Sequence, residues 1–154
     1  MVDQSSIAEL GAPDLKVLGF SLWVHGRAYP EADFAWERNS LRVSAYCADV
    51  GASVWVEGPD IISVPDIADF AASCDAMHRF ESQSAVLDSN EPNLKIRLEA
   101  TDDFGHLCAT VELTPDHHRQ QHLFRFDADQ SYLPEIIRQC RGMVKEYPDC
   151  QKEA

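Results

Sequence analysis

Apolar positions along this chain follow two rhythms. From Leu15 to His25 they alternate around Val17, Phe20, Leu22 and Val24, among β-branched and aromatic residues, and Gly26 and Pro30 bound the segment as a strand. From Leu41 to Ala48 the alternation is cleaner. Leu41, Val43, Ala45 and Cys47 fall on one face and Arg42, Ser44 and Tyr46 on the other, the mark of a half-solvated antiparallel strand. Gly51 breaks the chain, and Ala52, Val54 and Val56 resume the pattern as the next strand of a meander.

At Ser63-Val64-Pro65-Asp66 the period changes. Ser63 is placed to cap free amides, Pro65 suits a first helical turn, and the carboxylate of Asp66 favours the positive end of the helix dipole. Ile67, Phe70, Ala71, Cys74, Met77 and His78 then recur at the spacing of one buried stripe, with Asp66, Asp69, Ser73 and Asp75 on the outer face. Strands are expected at Ser84–Leu87, Leu94–Ala100 and His106–Thr114, the last two joined by a Thr101–Gly105 hairpin turn. A fourth, His122–Phe126, directs Leu123 and either Phe124 or Phe126 to the core. Asp127 or Asp129 caps a second helix through Tyr147, which buries Leu133, Ile136, Ile137, Cys140, Met143, Val144 and Tyr147 and stops at Pro148.

The order β-β-β-α-β-β-β-β-α, with short links between strands, predicts an α+β fold. We expect a single domain over 15–148, an antiparallel sheet of about six or seven strands with two helices. Residues 1–14 read as a flexible leader ending in Gly11-Ala12-Pro13, and 149–154 as a C-terminal tail. No internal repeat or low-complexity segment occurs.

A hydrophobic content of 45% over 154 residues excludes wholesale disorder and suffices for one core. No apolar run approaches the roughly 18 residues of a membrane span. The N-terminal residues lack the basic and apolar regions of a secretory signal. The five cysteines are widely spaced, without a CxxC pair, and read as reduced core residues of a cytoplasmic protein. No structural zinc, other metal or cofactor is expected.

Charge alters the picture more. Twenty-six acids oppose 13 Lys and Arg, a net charge of −13, and the surplus is uneven. Residues 61–114 carry ten acids and three bases, whereas 115–154 carry seven and six. Such a surface repels nucleic acid and anionic membrane and speeds association with basic proteins. The expected contact comprises Asp66, Asp69, Asp75, Glu81, Asp88, Glu91, Asp102 and Asp103, with Glu99 nearby and only Lys95 and Arg97 facing them across the 81–103 stretch. A solvated face that serves solubility is the alternative.

Enzyme signatures are missing: no glycine-rich phosphate loop, nucleophile elbow or HExxH motif occurs. His117, His118 and His122 form a metal candidate without a carboxylate or thiol at ligand spacing. His106 and Cys108, two apart in one strand, share a face and could pair as imidazole and thiolate, or simply pack. Trp23, Trp36 and Trp55 read as core or rim anchors, because basic residues do not interleave with them as nucleic-acid stacking would need.

Three segments together resemble the WapI-type bacterial immunity proteins. Asp33-Phe34-Ala35-Trp36-Glu37-Arg38-Asn39-Ser40-Leu41-Arg42-Val43 is similar to their W-D-x-N-W-L-x-V element, with Ser40 in place of the second tryptophan. Asn90-Glu91-Pro92-Asn93-Leu94 looks like their E-P-N-L lead-in to a strand. Asp129-Gln130-Ser131-Tyr132-Leu133 through Pro148 resembles their closing helix. The resemblance implies a small cytosolic antidote that binds the toxic C-terminal domain of a cell-surface protein, often a nuclease, and blocks its active site.

The leading expectation is therefore a non-catalytic, acidic immunity protein for a basic toxin domain. The alternatives are a small enzyme or ligand- or metal-binding domain built on His106, Cys108 and the histidine cluster, and a structural component of a larger assembly.

Overall fold

In a computed structural model, residues 4–89 and 91–150 are described, with side chains from residue 7. Residues 1–3 of the expected leader and 151–154 of the expected tail lie outside the described residues. Within the leader stands a short helix, α1 (Gln4–Glu9).

The first apolar segment divides into β1 (Leu15–Val17) and β2 (Phe20–Arg27), folded on each other through Leu18-Gly19. A one-turn helix, α2 (Ala35–Arg38), precedes β3 (Ser40–Asp49), which pairs through a Gly51 turn with β4 (Ala52–Ser63). The chain then forms α3 (Val64–His78), β5 (Ser84–Asp88), β6 (Leu94–Ala100), β7 (His106–Leu113) and β8 (Leu123–Asp129). A 3-10 turn at Gln130–Tyr132 leads into α4 (Leu133–Glu146).

The α+β class and the antiparallel pairing are as expected. The strands, however, divide between two four-stranded meanders, β1-β2-β3-β4 and β5-β6-β7-β8. Helix α3 is what separates them: it takes the chain out of the first sheet after β4, and its partner α4 does the same after β8. Four strands and a helix thus occur twice in succession, a repetition of topology that the sequence does not display. The helices pack on each other, α3 also on β5 and α4 on β1, while β3 and β4 meet β7 and β3 meets β8. One continuous core results, with Phe20, Leu22, Val43 and Ala45 from the first sheet, Ile96, Leu98, Ala109 and Val111 from the second, and Phe70, Cys74, Ile136 and Cys140 from the helices.

Side-chain periodicity governs most positions. Leu41, Val43, Ala45 and Cys47 are buried as the alternation requires. In β8 the same rule corrects an expectation: Phe124 and Phe126 pair opposite Val111 and Ala109 on the inner face, so Leu123 must point outward and is 44% exposed. His78 likewise leaves the stripe of α3 at its last residue and is exposed. Of the three tryptophans, Trp23 is buried and lies 6.2 Å from the half-buried Trp55, whereas Trp36 is exposed.

Candidate functional site

Two local irregularities build the most distinctive surface of the molecule. The first is α2, which follows from a short polar loop and buries none of its own residues. Arg38 holds the loop by donating from Nη1 to the carbonyls of Ala32 and Asp33 at 2.8 and 2.9 Å, and Arg27 donates to the Arg38 carbonyl at 2.9 Å. The carbonyl of the buried Asn39 accepts the Val64 amide at 3.0 Å and so joins the end of α2 to the start of α3. Phe34 and Trp36 stand outward on this platform, 61% and 68% exposed, with ring centroids 6.3 Å apart and planes 17° from parallel.

The second irregularity is a bulge in β4. Leu41 pairs with Ile62 but Val43 pairs with Gly58, so Pro59, Asp60 and Ile61 oppose the single residue Arg42. Proline, which has no amide proton for the ladder, fits such a bulge, and the extra residues re-aim their side chains. Asp60 is turned to accept from the Tyr29 hydroxyl at 3.0 Å and from Ser40 Oγ at 3.4 Å. The bond to the Asp60 carboxylate also raises the Tyr29 pKa.

Between these irregularities lies a cleft of about 360 Å³ lined by Tyr29, Trp36, Glu37, Asp60, Asp66 and Glu91, together with Ser40, Ile62 and Ser63. A shallower hollow beside it shares Asp60 and Glu91 and adds Glu57. Five carboxylates border the two hollows, and among the described residues no Lys, Arg or His lines either. Asp66 is fixed by the capping box of α3, where its Oδ2 accepts from the Ser63 amide at 2.9 Å and from the Ser63 hydroxyl at 2.8 Å. Burial pushes its pKa up, against those two hydrogen bonds, and the charges of Asp69 and Asp88 add to the rise.

The eight acids expected from the sequence therefore do not share one location. Asp66 and Glu91 line the cleft, and the exposed Asp69 and Asp88 act on Asp66 through their fields. Asp88 lies 3.9 Å from Lys95. Asp75 pairs with Arg79 at 3.1 Å and lies 3.8 Å from Arg141, and Glu81 pairs with Arg79 at 2.9 Å, so local cations offset both. Asp102 caps the β6–β7 turn, accepting from the Phe104 and His106 amides and bonding His106 Nδ1, which together lower its pKa. Asp102 and Asp103 line a separate groove with the exposed Phe80.

The contributors that sequence reasoning passed over are Tyr29, Trp36, Glu37, Glu57 and Asp60. All fall outside the acidic middle third, and charge counted along the chain could not gather them. The available signal was Trp36-Glu37, inside a segment already singled out for its resemblance.

None of the other chemical candidates, His106, Cys108, His117, His118 and His122, lines the cleft or the hollow beside it. His106 Nδ1 is bound to Asp102, and His122 Nε2 lies 3.3 Å from Gln120 Oε1. The rings of His117 and His118 lie 4.1 Å apart and tilted by 39°, and among the described residues no three His, Cys, Asp or Glu side chains are placed to share a metal ion. All five cysteines are free thiols, and burial pushes Cys47 and Cys140 up to about 12. Such thiols are poor nucleophiles at neutral pH.

Compared with known proteins, residues 14–148 match the model of the immunity protein WapI-like family. No curated protein matches, and no solved structure matches.

Proposed function

This chain belongs to the WapI-like immunity protein family, and on that premise we propose that it neutralises a basic, nuclease-like toxin domain by covering its active-site groove. It acts as a stoichiometric antidote in the cytosol and catalyses nothing. A nuclease must present cations to hold phosphates, and a cluster of carboxylates is the physical complement of such a groove.

The observation that carries this reading is the acidic border of Glu37, Glu57, Asp60, Asp66 and Glu91, whose described lining holds no Lys, Arg or His although the Arg42 charge acts on Tyr29 nearby, beside two exposed aromatic rings. Charge supplies the steering, and the aromatics supply apolar area that a solvated acidic face has no use for.

The test is co-expression with the toxin domain encoded beside its gene. A one-to-one complex, survival of the host cell, and an association rate that drops steeply between low and physiological salt are expected. Failure to bind or protect would refute the immunity reading, while protection with a salt-independent association rate would refute only its electrostatic part.

A further inference from the structure

Two large aromatic rings, one on a four-residue helix that buries nothing and one at its N-cap, make no return to the fold. Most of the surface of both rings is left to water, and covering it with another molecule would be favourable. Exposed tryptophan set against fixed carboxylates is also a specific combination. A ring face attracts a cation, and carboxylates held by their own hydrogen bonds present lone pairs without first having to be ordered.

We propose that the cleft between α2 and the β4–α3 junction receives an arginine side chain of the bound toxin domain, with Trp36 as the stacking wall and Asp60, Asp66 and Glu91 as acceptors for the guanidinium. This assignment rests on the immunity reading above and names the contact through which it works.

Arginine fits better than lysine on two grounds. Its planar guanidinium stacks on an aromatic face while donating in the ring plane to several carboxylates, whereas an ammonium is a compact, strongly hydrated point charge. The acceptors are also spread around the cleft, on the bulge, on the first turn of α3 and on the segment before β6, as a five-donor fork requires. Asp60 is held by Tyr29 and Ser40, and Asp66 by Ser63, so both carboxylates are positioned before a ligand arrives. The raised pKa of Asp66 accords with this, because its charge is held at a cost that a bound cation relieves.

Two measurements test the assignment. In the first, the labelled chain is titrated with hexa-arginine and hexa-lysine peptides while amide and indole resonances are followed. The arginine peptide should shift the Trp36 indole and the Ser63 amide most and bind more tightly than the lysine peptide. Equal binding of the two, or a largest shift at the Phe80–Asp103 groove, would overturn the proposal.

In the second, the affinity for the toxin domain is measured for variants. Trp36→Ala should weaken it by about 30-fold or more and Asp60→Asn by about tenfold, Trp36→Phe should recover part of the loss, and the control Asp102→Asn/Asp103→Asn should change it by less than about threefold. Tight binding by Trp36→Ala would refute the arginine receptor and leave the immunity reading standing. A toxin domain that fails to bind the unmodified chain would instead refute that reading.

Discussion

Replacing Asn39 by alanine tests whether one buried polar side chain holds the C-terminal segment against the platform of the cleft. Asn39 is 1% exposed. Its Nδ2 donates to Asp149 Oδ1 at 3.0 Å, and its Oδ1 accepts the Cys150 amide at 2.9 Å. Alanine removes both bonds and strands a buried N–H. A charge-assisted bond contributes about 1.5–3 kcal/mol and a neutral one about 1 kcal/mol, and an unsatisfied amide costs about 1–3 kcal/mol. Because the stranded amide and the lost neutral bond partly count the same desolvation, we expect a loss of about 3 kcal/mol.

Against a total stability of about 5–15 kcal/mol, the variant stays folded. With a urea slope of about 2 kcal/mol/M, the unfolding midpoint should fall by about 1.5 M at an unchanged slope. A fall of less than about 0.5 M would refute the reasoning, since the pair of bonds would then contribute no more than an exposed contact. Asn39→Asp provides an internal check. It keeps an acceptor for Cys150 but sets a second carboxylate against Asp149, so its deficit at neutral pH should shrink in acid, when one of the two carboxyls gains a proton and donates to the other.

Two further outcomes follow from the structure. A Cβ on Gly19 would lie 2.3 Å from the Ala48 carbonyl oxygen and 2.7 Å from Cζ of Phe126, where the first hairpin meets β8. Gly19→Ala should therefore destabilise by about 1–3 kcal/mol in chemical denaturation, and a neutral result would mean that the sheets approach less closely than described. For Asp66 the folded pKa lies above the unfolded one, so the native state holds the extra proton. Stability contributed by this group is lost as pH rises from its ordinary value of 3.8 through the raised value. Asp66→Asn should gain on the unmodified chain across that window in pH-dependent urea titrations. A disadvantage that grows with pH would show that the Ser63 hydrogen bonds outweigh burial.

Secondary structure was readable because its causes are local. The capping of α3 by Ser63 and Asp66 and the Gly51 and Gly105 turns depend on residues a few positions apart. So do the alternation of β3 and the apolar stripe of α4. Where two local rules compete, as at Leu123 and His78, reading by pattern placed an apolar or stripe residue inside that the pleat or the helix end turns out.

The partition into two sheets depends instead on which strand edges meet, and alternation is identical whichever neighbour a strand takes. The acidic cleft is a still longer-range product. Charge counted along the chain drew attention to residues 61–114, yet Arg79, Arg141, Lys95 and His106 offset several of the acids there. The carboxylates that border the cleft and its neighbouring hollow come from α2, β4 and its bulge, the start of α3 and the segment before β6. By itself the sequence determined a strongly acidic α+β domain and the resemblance that placed it in its family. Only the tertiary structure decided which acids stand together beside Trp36, because a field adds according to distance in space, and chain order does not set that distance.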